Sequence, residues 1–180
     1  MATIEHSTLT TGELHEPKGV ATAATNSIYV ANGAGSGTWT PTPFASTYYR
    51  SAIGTSFVAP LTFTLMNVPS AAGTSSQFSS NGAGRLTYTG SRTFTFQMNM
   101  MLSGQASVAA TIDAAIFLNG ALAPEFVVSS AQTNGTNDLF SCFTPVQFEL
   151  STNDYIEVFA QCNSGDFLIE DLSLTAQGLI

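Results

Sequence analysis

Charge is what this sequence has least of. Four Lys+Arg and twelve Asp+Glu make up 9% of its 180 residues, where an ordinary globular domain carries about 25%. Lys18, Arg50, Arg85 and Arg92 are all the cations, so nothing after Arg92 is basic, whereas acids continue to Asp171. Binding a nucleic-acid backbone takes several Lys/Arg to replace counterions, and an anionic membrane surface takes a polybasic cluster. With a net charge of −8, neither partner is expected. The opening MATIEHSTLTTGELHEP lacks a charged start followed by an apolar stretch, so no secretory signal is expected. No apolar run approaches the roughly 18 residues that suggest a membrane span.

Histidine and cysteine are also scarce, two of each. Cys142 and Cys162 sit in separate apolar segments without the CxxC spacing or companion His of a zinc site. Two buried, reduced thiols packing as small hydrophobes are expected, with a cross-strand disulfide as the alternative. His15-Glu16 lacks the second His of HExxH, and Pro17 breaks the helix that motif needs. Gly33-Ala34-Gly35-Ser36-Gly37 lacks the GxGxxG spacing, the Lys-Ser/Thr ending and the following helix of a phosphate loop. No Gly-x-Ser-x-Gly elbow is present, and both His fall in the first part of the chain, away from any serine nucleophile of the remainder. The chain is therefore read as no enzyme, with no cofactor and no metal. Asp154, Glu157, Asp166, Glu170 and Asp171 read as loop-end carboxylates that solvate a cation-poor surface, a calcium site being the alternative.

Hydrophobic residues reach 44%, which is incompatible with a disordered chain of high charge and low hydrophobicity. A chain this long buries about 70% of its extended-state surface, enough for one core with an appended segment. Residues 1–44 form that segment. It holds the only Lys, the only Trp and a β-prone stretch, Ser27-Ile28-Tyr29-Val30-Ala31, which leads through closely spaced Gly to Thr38-Trp39-Thr40. This pattern predicts a small hairpin or arm. Thr40-Pro41-Thr42-Pro43 follows as a linker.

Residues 45–180 show repeated period-two alternation. Phe94, Phe96, Met98 and Met100 alternate with Thr93, Thr95, Gln97 and Asn99, an apolar row against a polar one. The same holds for Leu86/Tyr88, Ile112/Ala114/Ile116/Leu118, Val146/Phe148/Leu150 and Ile156/Val158/Ala160/Cys162. Asn81-Gly82, Gly90-Ser91, Asn119-Gly120, Asn134-Gly135, Asn153-Asp154 and Ser164-Gly165 punctuate these strands. No segment pairs a helical period with a cap and a Gly stop. The fold class is all-β, an antiparallel jelly-roll sandwich with an extended N-terminal arm. Phe117, Phe159 and Met101 fall on otherwise polar faces, so some outward surface is expected to be covered by another copy.

The runs Gly84-Arg85-Leu86-Thr87-Tyr88-Thr89-Gly90, Phe94-Thr95-Phe96, Ile116-Phe117-Leu118-Asn119-Gly120 and Leu150-Ser151-Thr152-Asn153-Asp154-Tyr155-Ile156-Glu157-Val158 resemble the trimeric jelly-roll heads of the tumour necrosis factor and C1q type. Leu172–Ile180 is similar to their closing strand. The resemblance implies a homotrimer, with Phe117, Tyr155, Phe159, Leu179 and Ile180 as interface candidates. Gly12-Glu13-Leu14-His15-Glu16-Pro17-Lys18-Gly19-Val20-Ala21, followed by Ile28–Gly33 and Gly37-Thr38-Trp39, resembles a module near the start of tailed-bacteriophage virion proteins. That likeness implies a capsid decoration (cement) or head-fibre protein on the virion surface, assembled in the host cytoplasm. Leu14, His15, Glu16, Pro17, Lys18, Tyr29 and Trp39 would attach it to the major capsid protein or another virion protein. The alternative is a fibre or spike tip that binds host surface glycan through an outer loop containing Thr133, Asn134 and Asn137.

Overall fold

In a computed structural model, the structure describes residues 22–25, 27–31, 34, 37–57, 61–122 and 128–179, with the side chains of residues 52 and 53 left undescribed. Leu14, His15, Glu16, Pro17, Lys18 and Ile180 lie outside the described residues. The chain divides into two compact units between Thr42 and Pro43.

The first unit contains β1 (Ser27–Ala31) antiparallel to β2 (Gly37–Pro41). Tyr29 stands opposite Trp39 with ring centroids 5.4 Å apart. A Cβ at Gly37 would collide with the Tyr29 ring and the Val30 carbonyl, so the aromatic pair dictates glycine at the start of β2.

The second unit is a two-sheet sandwich. Its strands are β3 (Phe44–Phe57), β4 (Thr64–Leu65), β5 (Ala71–Ala72), β6 (Phe78–Ser80), β7 (Leu86–Tyr88), β8 (Phe94–Ala106), β9 (Thr111–Leu118), β10 (Ser129–Gln132), β11 (Asp138–Leu150), β12 (Tyr155–Cys162) and β13 (Phe167–Gly178). One sheet runs β11-β8-β13-β3-β5; the other runs β10-β9-β12-β7-β6, with β4 also paired to β12. Every named pairing is antiparallel, and no described residue lies in an α-helix.

The apolar rows meet between the sheets. Phe96, Met98, Met100 and Leu102 from β8, Ile112, Ala114 and Ile116 from β9, and Ile156, Val158 and Ala160 from β12 are all buried. Each large side chain of this kind contributes about 1.5–3 kcal/mol through burial. At one end Phe78, Tyr88 and Phe96 form a ring cluster with centroids 5.1–5.3 Å apart, and the Tyr88 hydroxyl donates to the Arg92 carbonyl at 2.7 Å. The Asn119-Gly120 turn has φ of 52° and 73°. Leu118 and Ala121 exchange backbone hydrogen bonds across it, the two-residue hairpin that an Asn-Gly pair favours.

Two irregularities shape the five-stranded sheet. The register of β13 slips between Ile169 and Asp171, so burial passes from Ile169 to Leu172 and both Glu170 and Asp171 face outward. Gly104 on β8 lies against the backbone of this bulge, where a Cβ would strike the Leu168 carbonyl. The other is the edge of β11. Phe143 N–H points away from β8 and donates to Ser129 Oγ at 3.1 Å. By alternation Pro145 aims its donor-less nitrogen the same way, which blunts the edge against further strand pairing.

Candidate functional site

The outward face of the five-stranded sheet is assembled by register. Phe143 pairs with Met101, Met101 with Ser173, and Ser173 with Tyr48, so one row crosses four strands. Tyr48, Met101 and Phe143 are 52%, 42% and 59% exposed. The next row is Pro145, Asn99, Thr175 and Ser46, and the one after it Gln147, Gln97, Gln177 and Phe44. None of these positions is charged. Gln147 Nε2 donates to Gln97 Oε1 at 3.0 Å, and Gln97 Nε2 reaches the Met98 and Val146 carbonyls at 3.3 and 3.4 Å. The amides thus use part of their hydrogen-bonding capacity within the face.

Charge returns on the other side of the Tyr48 row. Ser141, Ser103, Asp171 and Arg50 form a row there, with Arg50 Nε 3.5 Å from Asp171 Oδ1. Ser103 Oγ donates to Asp171 Oδ2 at 3.3 Å, and Gln105 Nε2 to Glu170 Oε1 at 2.7 Å. The exposed apolar row is therefore bounded by ions on one side and by amides and hydroxyls on the other.

The outward face of the opposite sheet is closed by its own chain. Phe117 and Phe159 stack at 3.9 Å with 16° between their planes, and Phe63 packs on Phe117 at 5.5 Å. Phe117 is consequently buried. Beside this stack Arg85 Nε donates to the buried Glu157 carboxylate at 2.9 Å, and the guanidinium lies 4.0 Å from the centre of the Tyr155 ring, a cation–π contact. The sequence points to Phe117, Tyr155 and Phe159 at a subunit interface; in the fold the first and last cover each other and Tyr155 underlies Arg85. Leu179 is partly exposed, with its N–H on the Thr95 carbonyl at 2.8 Å.

Glu157 is not a loop-end carboxylate but a buried strand residue ion-paired with the partly exposed Arg85. Asp154 spends its oxygens on Asn119 Nδ2 and the Ser151 N–H, at 2.8 and 2.7 Å. Among the described residues no three His, Cys, Asp or Glu groups converge on a metal position. Thr133 is not at a loop tip: it is buried, and its hydroxyl donates to the Val108 and Ala110 carbonyls and accepts from the Ala110 N–H. Asn134 and Asn137 are exposed.

Cys142 and Cys162 are buried thiols, with no disulfide between them. Burial is the main force pushing the Cys142 thiol up to about 11, partly opposed by a hydrogen bond from Ser129. At neutral pH it is a protonated thiol donating to the Ile112 carbonyl at 3.7 Å, not a nucleophile. Burial also raises the Tyr88 phenol.

Sequence reasoning singles out Met101 but misses Tyr48 and Phe143, because each is a single apolar residue in a polar row of its own strand. Only cross-strand register brings the three together.

No protein-family model matches the chain, and no curated protein does. Solved structures do. The Eiger TNF of S. frugiperda superposes with a TM-score of 0.54 at 12% identity, covering 77% of this chain and 94% of that one. Vertex protein P5 of PRD1 superposes with a TM-score of 0.55 at 10% identity, covering 77% of this chain and 97% of that one. At such identities the likeness concerns architecture, and by its strand order and these superpositions the chain has a TNF-like jelly-roll fold.

Proposed function

We propose that this protein is a homotrimeric structural protein of a tailed-phage particle, a capsid decoration or head-fibre protein. The observation that carries the reading is the exposed, uncharged register row of Tyr48, Met101 and Phe143 on the outward sheet face. An exposed apolar row flanked by amides suits an interface core, where charge is depleted and aromatic residues and Met are enriched. Closed association of identical copies covers such a row on every protomer at once. The likeness in fold to the P5 vertex protein of PRD1 supports a place on a virion.

In this reading Tyr29 and Trp39 of the hairpin, with Leu14, His15, Glu16, Pro17 and Lys18, contact the major capsid protein or another virion protein. Three arms on one trimer multiply weak individual contacts by effective concentration, and a trimer spanning neighbouring capsomers stiffens the shell. The test is the solution mass of the full chain, expected at three times 18.8 kDa, followed by co-sedimentation with undecorated capsids. A stable monomer at micromolar concentration refutes the trimer, and no co-sedimentation with capsids refutes the decoration role.

A further inference from the structure

A cavity of about 220 Å³ opens at one end of the sandwich, lined by Ser56, Gln105, Ser107, Asn137, Asp166 and Leu168, with Ala106 and Phe167 beneath. Its place in the fold follows from the strands. Pro43, where the chain enters the sandwich, lies at the start of β3, and Ser56 lies near its finish. About 3.3 Å per residue puts the two roughly 40 Å apart. The row Leu139, Gln105, Leu168 and Ser56 that borders the cavity is separated from the Tyr48 row by the Asp171–Arg50 row, so the cavity is distinct from the proposed interface.

Its walls are tied together before any ligand arrives. Ser107 N–H donates to the Asp166 carbonyl at 2.8 Å, and Asp166 N–H donates back to Ser107 Oγ at 2.9 Å. Asn137, at φ 59°, donates its N–H to the Ala106 carbonyl at 2.8 Å. Buried Thr133 pins the 107–110 loop from below. The floor is equally fixed: Phe167 stacks on Phe57 at 5.9 Å and meets Phe140 edge-on at 6.0 Å. Rigid walls reduce the ordering cost of binding.

The lining chemistry selects the ligand. Among the described residues no cationic side chain borders the cavity, so a phosphate or carboxylate ligand meets no counter-charge there. Asp166 is the single carboxylate among the described residues that line it, too few for a calcium ion that takes six to eight oxygens. What remains is one carboxylate acceptor, the Asn137 amide, the Gln105 amide with its Nε2 already donating to Glu170 Oε1, and two hydroxyls beside Leu168. That set suits a neutral polyhydroxyl compound, whose hydroxyls both donate and accept while its C–H face rests on the half-buried Leu168 side chain. The volume is below the 300 Å³ or more of common ligand pockets, which limits the occupant to about one sugar ring. We propose that this cavity is a binding subsite for a neutral saccharide residue, read by the Asp166 carboxylate, the Asn137 and Gln105 amides and the Ser56 and Ser107 hydroxyls.

The test is saturation-transfer NMR on the full chain with glucose, galactose, mannose, rhamnose and N-acetylglucosamine, with glucuronate and inorganic phosphate as anionic probes. At least one neutral sugar is expected to receive transfer and the anions none. Asp166→Ala and Asn137→Gly should each weaken binding about tenfold, the effect of losing roughly 1.4 kcal/mol. Glycine keeps the positive φ at position 137, and a thermal melt of each variant verifies its fold. Silence from all five sugars overturns the proposal; so does unchanged affinity in both folded variants, or preference for an anion. Sedimentation of the same samples reports the oligomer separately, so failure here is distinguishable from failure of the trimer.

Discussion

The two outer faces of the sandwich carry similar apolar side chains and treat them differently. On the β9–β12 face, Phe117 and Phe159 stack on each other and Phe63 packs on Phe117. The covering segment is held by the Leu61 N–H on the Cys162 carbonyl at 2.7 Å and by β4 pairing with β12. On the β11-β8-β13-β3 face, Tyr48, Met101 and Phe143 remain exposed. The difference teaches that an off-pattern apolar residue is covered only where the path of the chain brings another segment over it.

The sharpest way to break the comparison is to hollow out the internally covered face. Phe117→Ala should destabilise the fold by about 3–5 kcal/mol through lost burial and a cavity, seen as a lower denaturation midpoint, with the mass of the folded species unchanged. If the variant kept its stability but lost its oligomer, the two faces would have been assigned the wrong way round. The opposite change is Met101→Glu with Phe143→Glu. It places charge in the exposed row and should weaken association by about 2 kcal/mol or more per hot-spot residue. Surface substitutions of this sort usually leave monomer stability within about 0.5 kcal/mol, so dilution in sedimentation should yield a folded monomer. An unaltered mass would mean that the row is not buried between copies.

The smallest effect sharpens the comparison within one strand. On β11, Phe143 and Pro145 face outward while Thr144 between them is buried, and its Oγ1 has no hydrogen-bond partner among the described residues. A buried hydroxyl left unpaired costs about 1–3 kcal/mol. Thr144→Val, similar in shape without the hydroxyl, should therefore raise stability by about 1 kcal/mol in chemical denaturation and leave the oligomer as it was. A loss of stability instead would mean that the hydroxyl is satisfied in the folded protein.

Much of the architecture is legible residue by residue. The alternation in Phe94–Met100, Ile112–Leu118, Val146–Leu150 and Ile156–Cys162 marks strands β8, β9, β11 and β12, because a strand with one buried face must repeat with period two. Asn119-Gly120 marks its turn because both positions need positive φ. The candidate site is less legible. Thr133 reads as a loop residue by its polar neighbours, and only the hydrogen bonds to Val108 and Ala110 show it facing inward. Glu157 reads as one more acid in an acidic stretch, and only its register opposite β9, on a strand that also pairs with β7, brings it to Arg85 and buries it.

By itself the sequence determines that this chain is an all-β protein with little charge, because alternation, turn residues and composition act locally along the chain. Tertiary structure alone decides which polar rows become neighbours. Tyr48, Met101 and Phe143 are far apart in sequence and meet through strand pairing, while Ser56, Gln105, Asn137 and Asp166 meet where separate strand ends and loops converge. Pairing between distant strands is set by the packing of the whole sandwich, and no local pattern encodes it.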